Sequence, residues 1–312
     1  MNEQNSTSVA FFVIKGISDV AVLQILVFVF VFLIYLITFT GNLTIFMLVC
    51  LEPHLHTPMY FFLSNLSVMD LSASTIALHK LLLMFVSGNN TVSFISCMSQ
   101  MFIFLSLTCC EAILLTIMGY DRYVAICNPL HYYMVMKWSK CVQLAIVCWI
   151  IGFVEIIPNL WEVVHYSCYK SNHINHFFCD IVPLMSITCS STYILKMYIL
   201  FVGGLLCGFT PLFLTFLSYV FIISNILGIR SRVGRQKAFY TCSSHLTVVI
   251  LLYFTLFCQY LNPGYVESSN FKLFSLVNTA VVPMLNPLIY SLKNKDVKIA
   301  LRHMLKHNKA VF

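Results

Sequence analysis

Six stretches of this chain contain no charged residue: 20–51, 81–110, 141–154, 197–229, 238–266 and 273–292. A backbone that crosses hydrocarbon must satisfy its own polar groups, and a helix of about 20 apolar residues does so. The 81–110 run is broken by the polar patch SGNNTVS at 87–93, so one helix ends before it and another begins after it. Hydrophobic patterning predicts seven helices, over 22–50, 58–86, 97–127, 141–160, 196–228, 238–261 and 272–292. Only 9% of the 312 residues are charged, against about a quarter in soluble proteins. The net charge of +7 does not point to nucleic acid, because the basic residues are not interleaved with aromatics on a soluble face.

Orientation follows from Lys and Arg. Thirteen of the eighteen basic residues fall on one side of the predicted spans, from Arg122 to the Lys-rich tail. Lys15, Lys80, Lys170, Lys196 and Lys272 fall on the other. Basic loops stay cytoplasmic, so residues 1–21 form an extracellular N-terminus and 293–312 a cytoplasmic tail. The first span is too long for a signal-peptide core and lacks a preceding basic cluster, so it reads as a retained helix. In the tail, Val297, Ala300, Leu301, Met304 and Leu305 recur at helical spacing among basic residues. That pattern predicts a short amphipathic helix on anionic lipid.

The longest loop, 161–195, lies outside and is too short for a soluble catalytic domain. No internal repeat argues for a transporter, and no nucleophile or metal constellation argues for a membrane enzyme. Asn5 and Asn89 begin glycosylation sequons on the outer side. Of the thirteen cysteines, most fall inside helices, where Cys packs as a small apolar residue. Cys97, Cys168, Cys179 and Cys189 face the oxidising side and allow three pairings. Cys168, His173, His176 and Cys179 could also be drawn as a zinc site, but extracellular cysteines favour disulfides.

Ionisable groups inside spans are costly and mark function. At 1.5 Å per residue, Glu111 lies roughly 16 Å from Arg122, and Asp70 roughly 18 Å from Pro58 on the same side. Two carboxylates at matching depth on consecutive helices point to a shared proton or a cation between them, or else to a polar network that only ties helices together.

The motifs then name a family. GN at 41–42, HTPMYFFLSNLSVMDL at 56–71 and MGYDRYVAICNPLHY at 118–132 occur in order with SY at 218–219, KAFYTCSSHLTVV at 237–249 and PMLNPLIYSLKN at 283–294. Together they resemble the vertebrate olfactory (odorant) receptors, a branch of the rhodopsin-like G-protein-coupled receptors. The resemblance implies an all-α membrane protein, a seven-transmembrane helix bundle forming one receptor domain over 1–312. It also implies the pairings Cys97–Cys179 and Cys168–Cys189. Gly119, Tyr240, Phe254 and His79 depart from the usual pattern.

The resemblance further implies a ligand site under the long loop. Its matching positions are Phe104, Leu105, Thr108 and Cys109 on the third helix and Gly203 and Cys207 on the fifth. Tyr253, Leu256, Phe257 and Tyr260 follow on the sixth, with Leu276 and Thr279 on the seventh. Such a set suits a small, mostly apolar odorant with one hydrogen-bonding group. The implied switch comprises Asp121, Arg122, Tyr123, Tyr219, His245, Asn286, Pro287 and Tyr290. In the resting state Asp121 holds Arg122. Activation frees Arg122 and admits a stimulatory G protein, which raises cAMP. Asp70 and Glu111 resemble the family's sodium-type site, and no other cofactor is implied.

Overall fold

The computed structural model describes residues 10–17, 21–166, 168–228, 231–260, 269–293 and 295–311. Helix α1 runs Ala21–Leu51, α2 Pro58–Ser87, α3 Phe94–Cys127 and α4 Trp138–Val164. Helix α5 spans Tyr193–Gly228 and α6 spans Arg232–Tyr260. Helix α7 covers 269–293 and α8 covers Lys295–Val311. Among the described residues, seven helices are long and apolar enough to cross a membrane. Ile25, Leu26, Phe30 and Leu33 of α1 are exposed, as a face turned to lipid requires.

Local chemistry places the helix ends. Thr57 is extended at φ −119° and ψ 158°, and Pro58 follows in the first turn, where its missing N–H costs nothing. Gly88 closes α2 in the left-handed region at φ 66°, and its N–H bonds the Met84 carbonyl at 3.0 Å. The Ser93 hydroxyl accepts from the Ser96 N–H at 3.3 Å and caps α3.

Two glycines let helices touch. A Cβ on Gly152 of α4 would collide with Cys110 Sγ and lie 3.0 Å from the α3 backbone at Ser106 O. A Cβ on Gly41 of α1 would lie 3.0 Å from Pro287 of α7. The same contact brings the Asn42 amide within reach of Pro283 O, to which it donates at 3.0 Å.

Within the N-terminal segment, Phe11–Ile14 forms a strand, β1. It pairs antiparallel with β2 (Thr91–Ser93) and parallel with β3 (His173–Ile174). Phe12 and Ile14 are fully buried beneath the long loop. Disulfides Cys97–Cys179 and Cys168–Cys189 pin that loop. They exclude the zinc arrangement, because both cysteines it would need are bonded elsewhere. His176 is buried, with Nε2 3.0 Å from Ser275 Oγ of α7. Burial, reinforced by Lys272, pulls its imidazole down to about 3.

At the opposite end, α8 buries Val297 and Ala300 and exposes Lys298, Arg302 and His303. The Tyr60 hydroxyl donates to Asp296 Oδ2 at 3.2 Å and ties α8 to α2.

Candidate functional site

Below the long loop, a cavity of about 370 Å³ opens between α3, α4, α5 and α6. Such a volume accepts a small organic molecule. Nine of the twelve residues expected to bind ligand line it: Leu105, Thr108, Cys109, Gly203, Cys207, Tyr253, Leu256, Phe257 and Tyr260. The other three lie elsewhere. Phe104 is buried edge-on against Phe178 of the long loop, with ring centroids 4.9 Å apart. Leu276 packs into the core under the loop. Thr279 is buried, and its hydroxyl donates to Ser275 O within α7 at 2.8 Å. Helix α7 therefore contributes nothing to the wall among the described residues.

Helix α4 and the long loop take its place. Glu155, Ile156 and Asn159 of α4 line the cavity, with Ile181, Val182 and Met185 of the short helix Ile181–Ile187 and Lys196 of α5. None of these was expected from sequence. One signal was available, because Glu155 is an ionisable residue inside a predicted span, the same criterion that marked Asp70 and Glu111.

Cys109 and Cys207 are not independent small apolar residues. They are joined as a third disulfide between α3 and α5, with Cα atoms 5.4 Å apart. Glu155 Oε2 lies 4.0 Å from Cys207 Sγ. The two sulfurs and the carboxylate are close enough together to suggest a metal site, but sulfurs bonded to each other offer no thiolate. At the cavity roof, the Tyr260 hydroxyl meets both oxygens of buried Asp180 at 3.4 Å. Burial pushes the Asp180 carboxyl up to about 6, against the bonds it accepts from Ile181 N–H and Tyr260.

The inner polar residues form two groups. Asn286 Nδ2 donates to Asp70 Oδ2 at 2.9 Å, and Glu111 neighbours both. Asp70 Oδ1, Glu111 Oε1 and Asn286 Oδ1 are buried without a hydrogen-bond partner. Three spare oxygens suit a hard cation or a shared proton. Deeper, the Tyr219 hydroxyl lies 2.9 Å from His245 Nδ1 and donates to Cys242 O at 3.1 Å. His245 Nε2 lies 3.0 Å from Leu115 O of α3. A Cβ at Gly119 would meet His245 Cε1 at an ordinary 3.6 Å, so this departure from the family pattern is sterically mild.

Asp121 was expected to hold Arg122. Its carboxylate instead accepts from the Tyr132 hydroxyl at 2.8 Å. Among the described residues no ion pair joins it to Arg122 within 4.0 Å. Side chains on consecutive residues of a helix point to different sides, so Arg122 attracts Asp121 without a direct ion pair. Tyr123 packs against Phe221, with ring centroids 5.9 Å apart. Pro287 sits inside α7 against Gly41. The side chains of Tyr240 and Tyr290 lie outside the described residues, as does Asn5. Asn89 is exposed beside β2, with Oδ1 accepting from the Thr91 N–H at 2.9 Å. Phe254 turns away from the cavity and packs edge-on against Phe274 at 5.9 Å.

Known proteins similar in sequence to this chain converge on one family. The family model described as olfactory receptor matches residues 30–308. Olfactory receptor 8B3 of Mus musculus is 44% identical, covering 96% of this chain and 95% of its own length. Olfactory receptor 8A1 of Homo sapiens is 44% identical, covering 97% and 92%. Olfactory receptor 13F1 of Homo sapiens is 43% identical, covering 97% and 95%. Seven spans, a cavity beneath a disulfide-pinned loop and near-complete coverage lead to one conclusion: the chain belongs to the olfactory receptor family and is a G-protein-coupled receptor, not an enzyme.

Proposed function

We propose that a small, mostly apolar odorant enters the cavity between α3, α4, α5 and α6 and drives a stimulatory, olfactory-type G protein, raising cAMP. One observation carries this reading. Helix α6 lines the cavity with Tyr253, Leu256, Phe257 and Tyr260 and, eight residues below Tyr253, bonds α3 and α5 through His245. That separation is roughly 12 Å of helix. A ligand that repositions Tyr253 therefore acts on the same rigid body that holds the inner lock. It shifts the equilibrium only as far as it prefers the active packing.

In the proposed cycle, the outward swing of α6 breaks the His245–Leu115 and Tyr219–His245 contacts. Arg122, with a permanent charge and a five-donor fork, then becomes available to the α-subunit tail. Asp121 steadies the end of α3 through Tyr132. The N-terminus faces outside, and α8 rests on anionic lipid of the inner leaflet. The Asp70, Glu111 and Asn286 oxygens would hold a sodium ion in the resting state, a role their donor set suits. A cAMP reporter in cells with and without the stimulatory α subunit tests the assignment. The response must require that subunit, and an odorant-evoked conductance persisting without it would favour a channel.

A further inference from the structure

The proposed ligand class can be narrowed from the wall that α4 presents. Glu155 and Asn159 stand four residues apart, so they lie on one helix face about 6 Å apart. Both are buried, at 6% and 3% exposure, and both line the cavity. Glu155 Oε1 and Asn159 Oδ1 have no hydrogen-bond partner. The nearest sulfur to Glu155 Oε2, Cys207 Sγ at 4.0 Å, is in a disulfide and has no proton to donate. Two buried acceptors therefore sit in the wall of a mainly apolar space, and no hydrogen bond from the described residues reaches them.

The surroundings explain how the carboxyl group fits beside α5 and why no basic side chain of the wall pairs with it. Glu155 Oε1 lies 3.2 Å from where a Cβ on Gly203 would stand, so the bare glycine leaves room for the carboxylate. Lys196 is the nearest basic residue of the wall, but it forms no ion pair with Glu155 among the described residues. It precedes Gly203 by seven residues, about 10 Å higher along α5. Of the other polar groups of the wall, the Tyr253 hydroxyl stands on α6 beside Thr116, away from α4. The Thr108 hydroxyl donates to Phe104 O at 3.0 Å, and Tyr260 is turned to Asp180. Both oxygens are closed to water, so only a ligand that brings its own donors into the wall supplies the missing bonds.

We infer that Glu155 and Asn159 form the polar head subsite of the cavity and that the ligand is a small apolar amine, its ammonium seated on Glu155 Oε1 and Asn159 Oδ1. The inference rests on the cavity being the ligand site. An ammonium has three donors and a charge that matches the carboxylate. A hydroxyl supplies one donor and no charge, and a carboxylate head would be repelled. The apolar tail lies against Leu105, Leu256 and Phe257.

Hexylamine, hexanol and hexanoic acid, matched in chain length, test it. Binding is measured on the purified full chain in lipid nanodiscs without G protein, and cAMP is measured in cells with surface staining. Hexylamine is expected to bind, and hexanol about thirtyfold or more weaker. Glu155→Gln, isosteric and equally well displayed at the surface, should weaken hexylamine by a similar factor and leave hexanol unchanged. Gly203→Ala, which crowds Oε1, should weaken hexylamine alone. Equal or better binding of hexanol, or undiminished hexylamine binding by Glu155→Gln, overturns the inference while leaving the receptor assignment intact. A preference for hexanoic acid overturns it in favour of Lys196. Glu155-dependent hexylamine binding with no cAMP upholds the subsite and instead counts against the proposed coupling.

Discussion

Two buried carboxylate sites in this bundle have opposite surroundings. Asp70 and Glu111 are knitted to Asn286 across α2, α3 and α7. Glu155 faces a cavity and meets no donor. In the first, the Asn286 amide links the two acids and ties helices together, while three oxygens stay open to a cation or a proton. In the second, completion is left to whatever enters. The contrast separates a built-in polar joint from the proposed ligand seat, although both are acids inside spans.

The largest expected effect tests the joint. Asn286→Leu leaves two buried carboxylates without their shared amide and should cost about 3 kcal/mol or more of stability. Thermal unfolding in nanodiscs and surface display would read this, and a variant of unchanged stability would show that Asn286 joins nothing. Glu155→Leu should behave differently and stay within about 1 kcal/mol of the parent, since no protein bond is lost. A collapse in stability comparable to Asn286→Leu would erase the contrast. Next in size is the response to salt. Asp70→Asn and Glu111→Gln should each flatten the sodium dependence of basal signalling, while Glu155→Gln retains it. A sodium titration unchanged in both inner variants would count against a cation there.

The smallest effect concerns the lid above both sites. His176, buried and neutral, contributes fully above about pH 6.5 and loses that contribution as pH falls toward about 3. Moving to pH 5 costs it about 2 kcal/mol. Asp180 has the opposite sign. Its carboxyl sits at about 6, so its contribution is complete below about 3.9 and lost as pH rises through 6. Acidification returns about 1 kcal/mol. Unfolding midpoints at pH 7.5 and 5 should therefore shift little in the parent. They should fall in Asp180→Asn, where His176 acts alone, and rise in His176→Gln. Parallel shifts in all three would remove both residues from the pH response.

The spans were legible because absence of charge is a one-dimensional signal. So was the Asp70–Glu111 pairing, which needs only a count of residues from a common face. Glu155 obeyed the same rule, but a helix end placed at 160 put it near the predicted rim. The helix in fact continues to Val164, which sets Glu155 deeper. Strand β1 was not legible, since FFVI shows no alternation and its partners, Val92 and His173, are far along the chain. The Cys109–Cys207 bond depends on the relative rotation of α3 and α5, which no local pattern encodes. Leu276 and Thr279 came from family resemblance, and here α7 is turned toward α6 and the lid instead of the cavity.

The central claim is that ligand occupancy is transmitted through α6 to a G protein docking at Arg122. The most direct test is the odorant-evoked cAMP response of Arg122→Ala at matched surface display. The variant should reach the surface and bind ligand with parental affinity yet give no cAMP. A parental dose–response curve from that variant would contradict the claim.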